Sequence, residues 1–106
     1  MCTKKSVTDL TLEKLEKISG EKLTLGVLLY AIRQGEEMTQ AAFAKRLGVS
    51  KQYLCDIEHS RRSVSPKKAE KFALALGYST QQFVRLCLQD LIDREGIPLI
   101  VSVKAA

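Results

Sequence analysis

Small hydroxylated residues punctuate this chain at short intervals, each standing just before apolar positions that recur every three or four residues. A Ser or Thr oxygen accepts from the free N–H groups of a helix's first turn, so each such residue marks a helix start. Thr24, Thr39, Ser50, Ser65 and Ser79 or Thr80 hold these places. The apolar stripes behind them are Leu25, Leu28, Leu29 and Ile32; Phe43, Ala44 and Leu47; Leu54 and Ile57; and Ala69, Phe72, Ala73 and Leu76. A last, longer segment runs to about Glu95. Stops follow in turn: QGEE at 34–37, Gly48, Gly77 and Gly96. Pro66 follows the Ser65 cap in the first turn of its helix, where a missing N–H costs nothing. Short helices with one apolar stripe each have no stable existence alone and must pack on one another. The expected fold is all-α, a compact five-helix domain.

Two flanking segments extend this plan. Thr11 is placed to cap an additional N-terminal helix, in which Leu12, Leu15 and Ile18 recur every three residues until Ser19-Gly20. At the other end, IPLIVSVKAA changes period: Ile97, Leu99, Val101 and Val103 alternate and β-branched residues dominate, which reads as a short β-strand. A lone strand is unstable, so it is expected to pair across a molecular boundary, with a two-fold mate or another protein. The final helix also carries more apolar surface than one packing face needs, with only Arg85, Gln89 and Asp93 clearly polar. Leu88, Leu91, Ile92, Leu99, Val101 and Val103 are therefore candidate dimer contacts. The chain divides into residues 1–23 as an N-terminal extension, 24–95 as the helical domain and 96–106 as the terminal strand.

At 106 residues, a single domain is expected. No apolar run approaches the roughly 20 residues of a membrane span, and MCTKKSVTDL does not read as a secretory signal. No membrane partner is expected. Cys2, Cys55 and Cys87 are odd in number and lack a C-x-x-C pair, which fits free thiols in a reducing cytoplasm better than disulfides or a metal site. The single His and the lack of a glycine-rich phosphate loop argue against an enzyme, and no cofactor is expected. The net charge of +5 favours an anionic partner.

The segment RLGVSKQYLCDIEHSRRSVSP supplies the chemistry. Two helices, 39–47 and 51–59, meet at the turn Gly48-Val49-Ser50, the spacing of a helix-turn-helix whose second helix enters the DNA major groove. Projected at 3.6 residues per turn, Leu54 and Ile57 face one side while Gln52, Asp56 and His59 face the other, with Lys51 at the exposed first turn. Gln52 suits a bidentate pair with adenine, Lys51 a bond to guanine and Asp56 a bond from cytosine. These three are the candidate base readers. Candidate phosphate contacts surround them: Thr39 and Gln40 at a helix start, Ser50 and Tyr53, then His59, Arg61, Arg62 and Lys67 beyond the reading helix, with Lys68 beside them. His59 equally suits a partner for the helix dipole.

From Leu29 onward, LYAIRQGEEMTQAAFAKRLGVSKQYLCDIEHSRRSVSP resembles the phage-repressor (Cro-like, XRE) helix-turn-helix domains. The shared pattern is an L-x-x-x-R helix, a T/S-Q helix start, A-x-x-L-G-V-S at the turn, an I-E recognition helix and a basic loop ending in S-P. The resemblance covers about residues 24–92. It implies a repressor-like fold and a structural ion pair between Arg33 and Glu58. It also implies a phosphate contact by Gln40 and base reading by Lys51, Gln52 and Asp56. His59-Ser60 departs from the Asn-Gly often found after the I-E pair. Serine takes a positive φ less easily than glycine, so a further helical turn is expected there.

The leading functional expectation is a sequence-specific transcriptional repressor, acting as a homodimer on near-palindromic double-stranded DNA in the cytoplasm, associated with a bacterial nucleoid. The alternative is an antitoxin that neutralises a partner toxin and represses its own operon, with residues 1–23 and the terminal strand as the toxin-binding parts.

Overall fold

The computed structural model describes residues 23–106, so the N-terminal helix expected behind Thr11 lies outside the described residues. Within them the helices are α1 (Leu25–Gly35), α2 (Gln40–Leu47), α3 (Lys51–Glu58), α4 (Pro66–Leu76) and α5 (Thr80–Arg94). Each starts at a hydroxyl cap in extended conformation. Thr24, Thr39, Ser50, Ser65 and Ser79 accept from the backbone N–H of Val27, Ala42, Tyr53, Lys68 and Gln82 respectively. The expected all-α fold is borne out.

The core gathers all the stripes. Phe43, Phe72, Phe83, Leu29 and Leu54 have no exposed surface, and each comes from a different helix. Helix α3 packs on α1 and α2, while α5 packs on α4 and α1. Gly26 sets the α1–α3 approach: a Cβ there would collide with the carbonyl oxygen of Ile57. Only a glycine lets α1 pass so close to the last turn of α3.

Two local expectations are corrected. The first concerns the end of the reading helix. Helix α3 stops at Glu58 with His59 as its cap, and Ser60 takes φ +60°, the left-handed conformation glycine usually supplies. No further helical turn forms. Ser60 N–H donates to the Ile57 carbonyl at 3.0 Å, and Arg61 N–H donates to the Asp56 carbonyl at 2.8 Å. This pair of bonds closes a Schellman-type helix end. Arg94, on α5, adds a third restraint through Nη2 donating to the Ser60 carbonyl at 3.1 Å. Three hydrogen bonds thus offset a backbone strain of about 1–2 kcal/mol.

The second correction concerns the terminal segment. Residues 97–104 form no β-ladder, and no strand occurs among the described residues. The segment returns along α5 instead. Gln89, which is 4% exposed, donates from Nε2 to the Leu99 carbonyl at 2.9 Å, and its Oε1 accepts from Val101 N–H at 2.7 Å. Gln81 Nε2 donates to the Val103 carbonyl at 3.2 Å. A single amide side chain therefore gives the tail the donor and acceptor that a neighbouring strand would offer. A residue counted as part of a polar strip is buried because the tail lies on it. Val101 and Val103 are half-buried there, whereas Ile97, Leu99 and Ile100 remain exposed, Ile100 at 78%.

Candidate nucleic-acid interface

The α2–turn–α3 unit is built from local signals. Gly48 ends α2 at φ +78°, its N–H and that of Val49 donating to the carbonyls of Lys45 and Ala44. Val49 packs half-buried against the core, and Ser50 caps α3. Helix α3 then turns Leu54 and Ile57 inward and leaves Lys51 and Gln52 exposed.

Behind this face lies the ion pair that the family resemblance implies. Arg33 grips Glu58 with two bonds, Nε to Oε2 at 2.8 Å and Nη2 to Oε1 at 3.0 Å. Arg33 Nη1 also donates to the Met38 carbonyl at 3.1 Å. The hydrogen bond to Glu58 is the main reason that the guanidinium holds its proton even more firmly than a free arginine. Gln40 Nε2 donates to Glu58 Oε1 at 2.9 Å, so the residue expected at a phosphate is tied to the ion pair at the start of α2.

On the outward side the candidate readers hold one another. Asp56 Oδ1 accepts from Gln52 Nε2 at 2.9 Å and from Arg61 at 3.2 Å (Nε) and 3.0 Å (Nη2). Arg61 first, and Gln52 second, lower the Asp56 pKa below that of an ordinary aspartate. His59 Nδ1 lies 2.8 Å from the Cys55 carbonyl, as suits a partner of the helix end. The Cys55 thiol lies 3.6 Å from that ring nitrogen and 3.5 Å from Arg61 Nη2.

The basic flank is ordered by an aromatic ring. Tyr53 carries the Arg62 guanidinium 4.5 Å from its ring centroid and the Lys68 ammonium at 4.6 Å, both within cation–π range. Lys67 is almost wholly exposed, 3.8 Å from Glu70. The caps Thr39 and Ser50 use their hydroxyl oxygens on backbone N–H groups, which leaves each hydroxyl proton to give. Hydrogen bonds thus bring Gln52, Asp56 and Arg61 together, cation–π contacts bring Tyr53, Arg62 and Lys68 together, and Gln40 is drawn to Glu58, while the candidate dimer residues lie on α5 and the tail.

Some of this was legible in advance. The Gln52–Asp56 bond is an i,i+4 pair on one helix face. The fold-back of Arg61 was not, because it depends on Ser60 adopting the left-handed conformation. The remaining described cysteine, Cys87, is buried. Its thiol donates to the Val64 carbonyl at 2.7 Å, and burial pushes its pKa up to about 11. Among the described residues no cluster of His, Cys, Asp or Glu could hold a metal ion. No helix there is long and apolar enough to cross a membrane.

A family model described as helix-turn-helix matches residues 29–83. The chain belongs to the phage-repressor-like helix-turn-helix family. Its domain is of the DNA-binding kind found in transcriptional regulators. The chain is also similar to an immunity repressor protein of Bacillus phage phi105, 36% identical over 62 residues. That alignment spans 58% of this chain and 43% of the relative, less than half its length. No solved structure matches the chain.

Proposed function

We propose that this protein is a sequence-specific transcriptional repressor that binds a near-palindromic operator as a homodimer. The observation that carries the reading is the outward face of α3. Its Lys51, Gln52 and Asp56 are the proposed base readers, with Arg61, Arg62, Lys67 and Lys68 as flanking phosphate contacts. Thr39, Ser50, Tyr53 and His59, together with Gln40 at the start of α2, are assigned as supporting phosphate contacts. The buried Arg33–Glu58 pair holds α3 at a fixed angle to α1.

Homodimerisation is supported by unspent apolar surface. Leu88, Leu91 and Ile92 on α5 are half-buried in the single chain, and Leu99 is exposed on the tail that α5 carries. Burial of such a patch on a two-fold mate would set two α3 helices into successive major grooves, about 34 Å apart. The same exposed Leu99 and Ile100 favour a second reading, in which the tail meets a toxin and the protein is an antitoxin that represses its own operon. A small basic ribonuclease-like reading frame beside this gene would favour that role.

The test is anisotropy titration of labelled upstream DNA with the full chain. Gln52→Ala and Lys51→Ala are expected to weaken operator binding and relax sequence preference. Unchanged affinity and preference in both variants would refute the reading face. Light scattering on a chain lacking residues 97–106 separates the dimer contacts: an intact dimer assigns the interface to α5 rather than to the tail.

A further inference from the structure

Arg61 and Arg62 are neighbours in sequence but stand in different environments. Arg62 lies on the Tyr53 ring beside Lys68, with no carboxylate bonded to it among the described residues. Arg61 is folded back across the outward face of α3. Its backbone N–H is tied to the Asp56 carbonyl through the left-handed turn at Ser60, and its side chain is tied to Asp56 Oδ1.

Hydrogen-bond capacity shows what each group has left to offer. Asp56 Oδ1 already accepts from three donors, so Oδ2 alone is left to accept, and an ionised carboxylate has no proton to give. A bare carboxylate is also repelled by the phosphate backbone, whereas one covered by a guanidinium is neutralised. Arg61 spends one edge of its planar guanidinium, Nε with Nη2, on Asp56. The end-on edge, Nη1 with the second Nη2 proton, meets no oxygen acceptor among the described residues; the weakly accepting Cys55 sulfur lies 3.5 Å from Nη2. That edge fits the O6 and N7 acceptors of guanine. Gln52 spends one Nε2 proton on Asp56 and keeps its other proton and Oε1, the set that pairs with adenine N7 and N6.

We infer that Asp56 is a positioning residue rather than a reader, and that Gln52 and Arg61, aligned side by side on its Oδ1, read an adenine and a guanine. This inference rests on the DNA-reading function proposed above. It moves Arg61 from the phosphate set to the base-reading set and leaves Arg62 at the backbone. Holding both side chains in place before binding lowers the entropy lost on contact.

The experiment is sequence selection from a random duplex library with the full chain, followed by anisotropy on single-base variants of the selected site at several salt concentrations. Arg61→Ala is expected to lose preference at one guanine by about tenfold, with less change in salt dependence than Arg62→Ala. Gln52→Ala is expected to lose preference at one adenine. Asp56→Ala is expected to lose both preferences at once, and adding Arg61→Ala to it costs little more discrimination. Asp56→Asn, whose carbonyl oxygen still accepts, retains most of it. Melting temperatures should stay near wild type, which separates positioning from folding.

Two results overturn the inference while leaving DNA reading intact. One is Arg61→Ala weakening every sequence alike with a salt slope reduced by about one, as a phosphate contact would. The other is Asp56→Ala erasing preference for a cytosine while the positions read by Gln52 and Arg61 are unaffected. A wild-type chain that selects no sequence overturns the proposed function itself, and the inference with it.

Discussion

Helix α3 carries two carboxylates two residues apart, and each is held by one arginine and one glutamine amide. Glu58 has Arg33 and Gln40; Asp56 has Arg61 and Gln52. The chemistry is nearly the same, but the setting is not. The Glu58 side chain is 2% exposed, sealed between α1 and α2, while that of Asp56 is 24% exposed on the outward face. Burial decides the role. Away from water, an unpaired charge has no substitute partner, so the inner trio resists being opened and behaves as scaffold. At the surface, water competes for every bond, so the outer trio adds little to the stability of the fold.

Removing the inner carboxylate breaks the comparison most directly. Glu58→Ala leaves the Arg33 guanidinium without its partner in the α1–α3 seam. It should destabilise the domain by about 3 kcal/mol, read as a lowered denaturant midpoint. Asp56→Ala should leave that midpoint almost unchanged, and equal losses in the two variants would erase the distinction. Gly26→Ala attacks the same seam without touching a charge. The new methyl meets the Ile57 carbonyl, forcing α1 away from α3 at a cost of roughly 2 kcal/mol. A loss of that size, with the melt still cooperative, would show that backbone approach as well as the ion pair sets the inner geometry.

Ser60→Gly has a smaller effect of opposite sign. Glycine relieves the left-handed strain at φ +60° and should stabilise the domain by about 0.5–1 kcal/mol, visible as a higher melting temperature. Destabilisation would mean that the strain is absent. The finest distinction is the titration of Asp56. Its pKa is depressed in the folded state, chiefly by Arg61. Its contribution to stability is therefore present above the ordinary aspartate range, near 3.9, and lost as pH falls through the lower folded value. Carbon-detected NMR should show Asp56 titrating below that range, and Arg61→Ala should return it upward. An unchanged titration would remove Arg61 from the outer trio.

Legibility in the sequence followed the range of the interaction. Each helix start was readable, because a cap and its N–H partner lie three residues apart. The stripes were readable for the same reason. The Arg33–Glu58 pair, 25 residues apart, was legible only through the family resemblance. Gln89 was misleading on its own: an amide on a helix looks like surface until a returning tail covers it. The alternation of Ile97, Leu99, Val101 and Val103 marked a segment whose backbone needs partners, but not that glutamine side chains of α5 would supply them.

By itself, then, the sequence determined the local grammar of this protein: where each helix begins, which face it buries, and that Lys51, Gln52 and Asp56 share an outward face. Those features depend on groups a few residues apart, whose geometry the helix repeat sets. Only the tertiary structure decided that Gly26 admits α1 onto α3, that Ser60 turns Arg61 back over Asp56, and that Gln89 holds the tail. Each of these needs a distant element, α3, α5 or the chain end, to be in place before the contact exists.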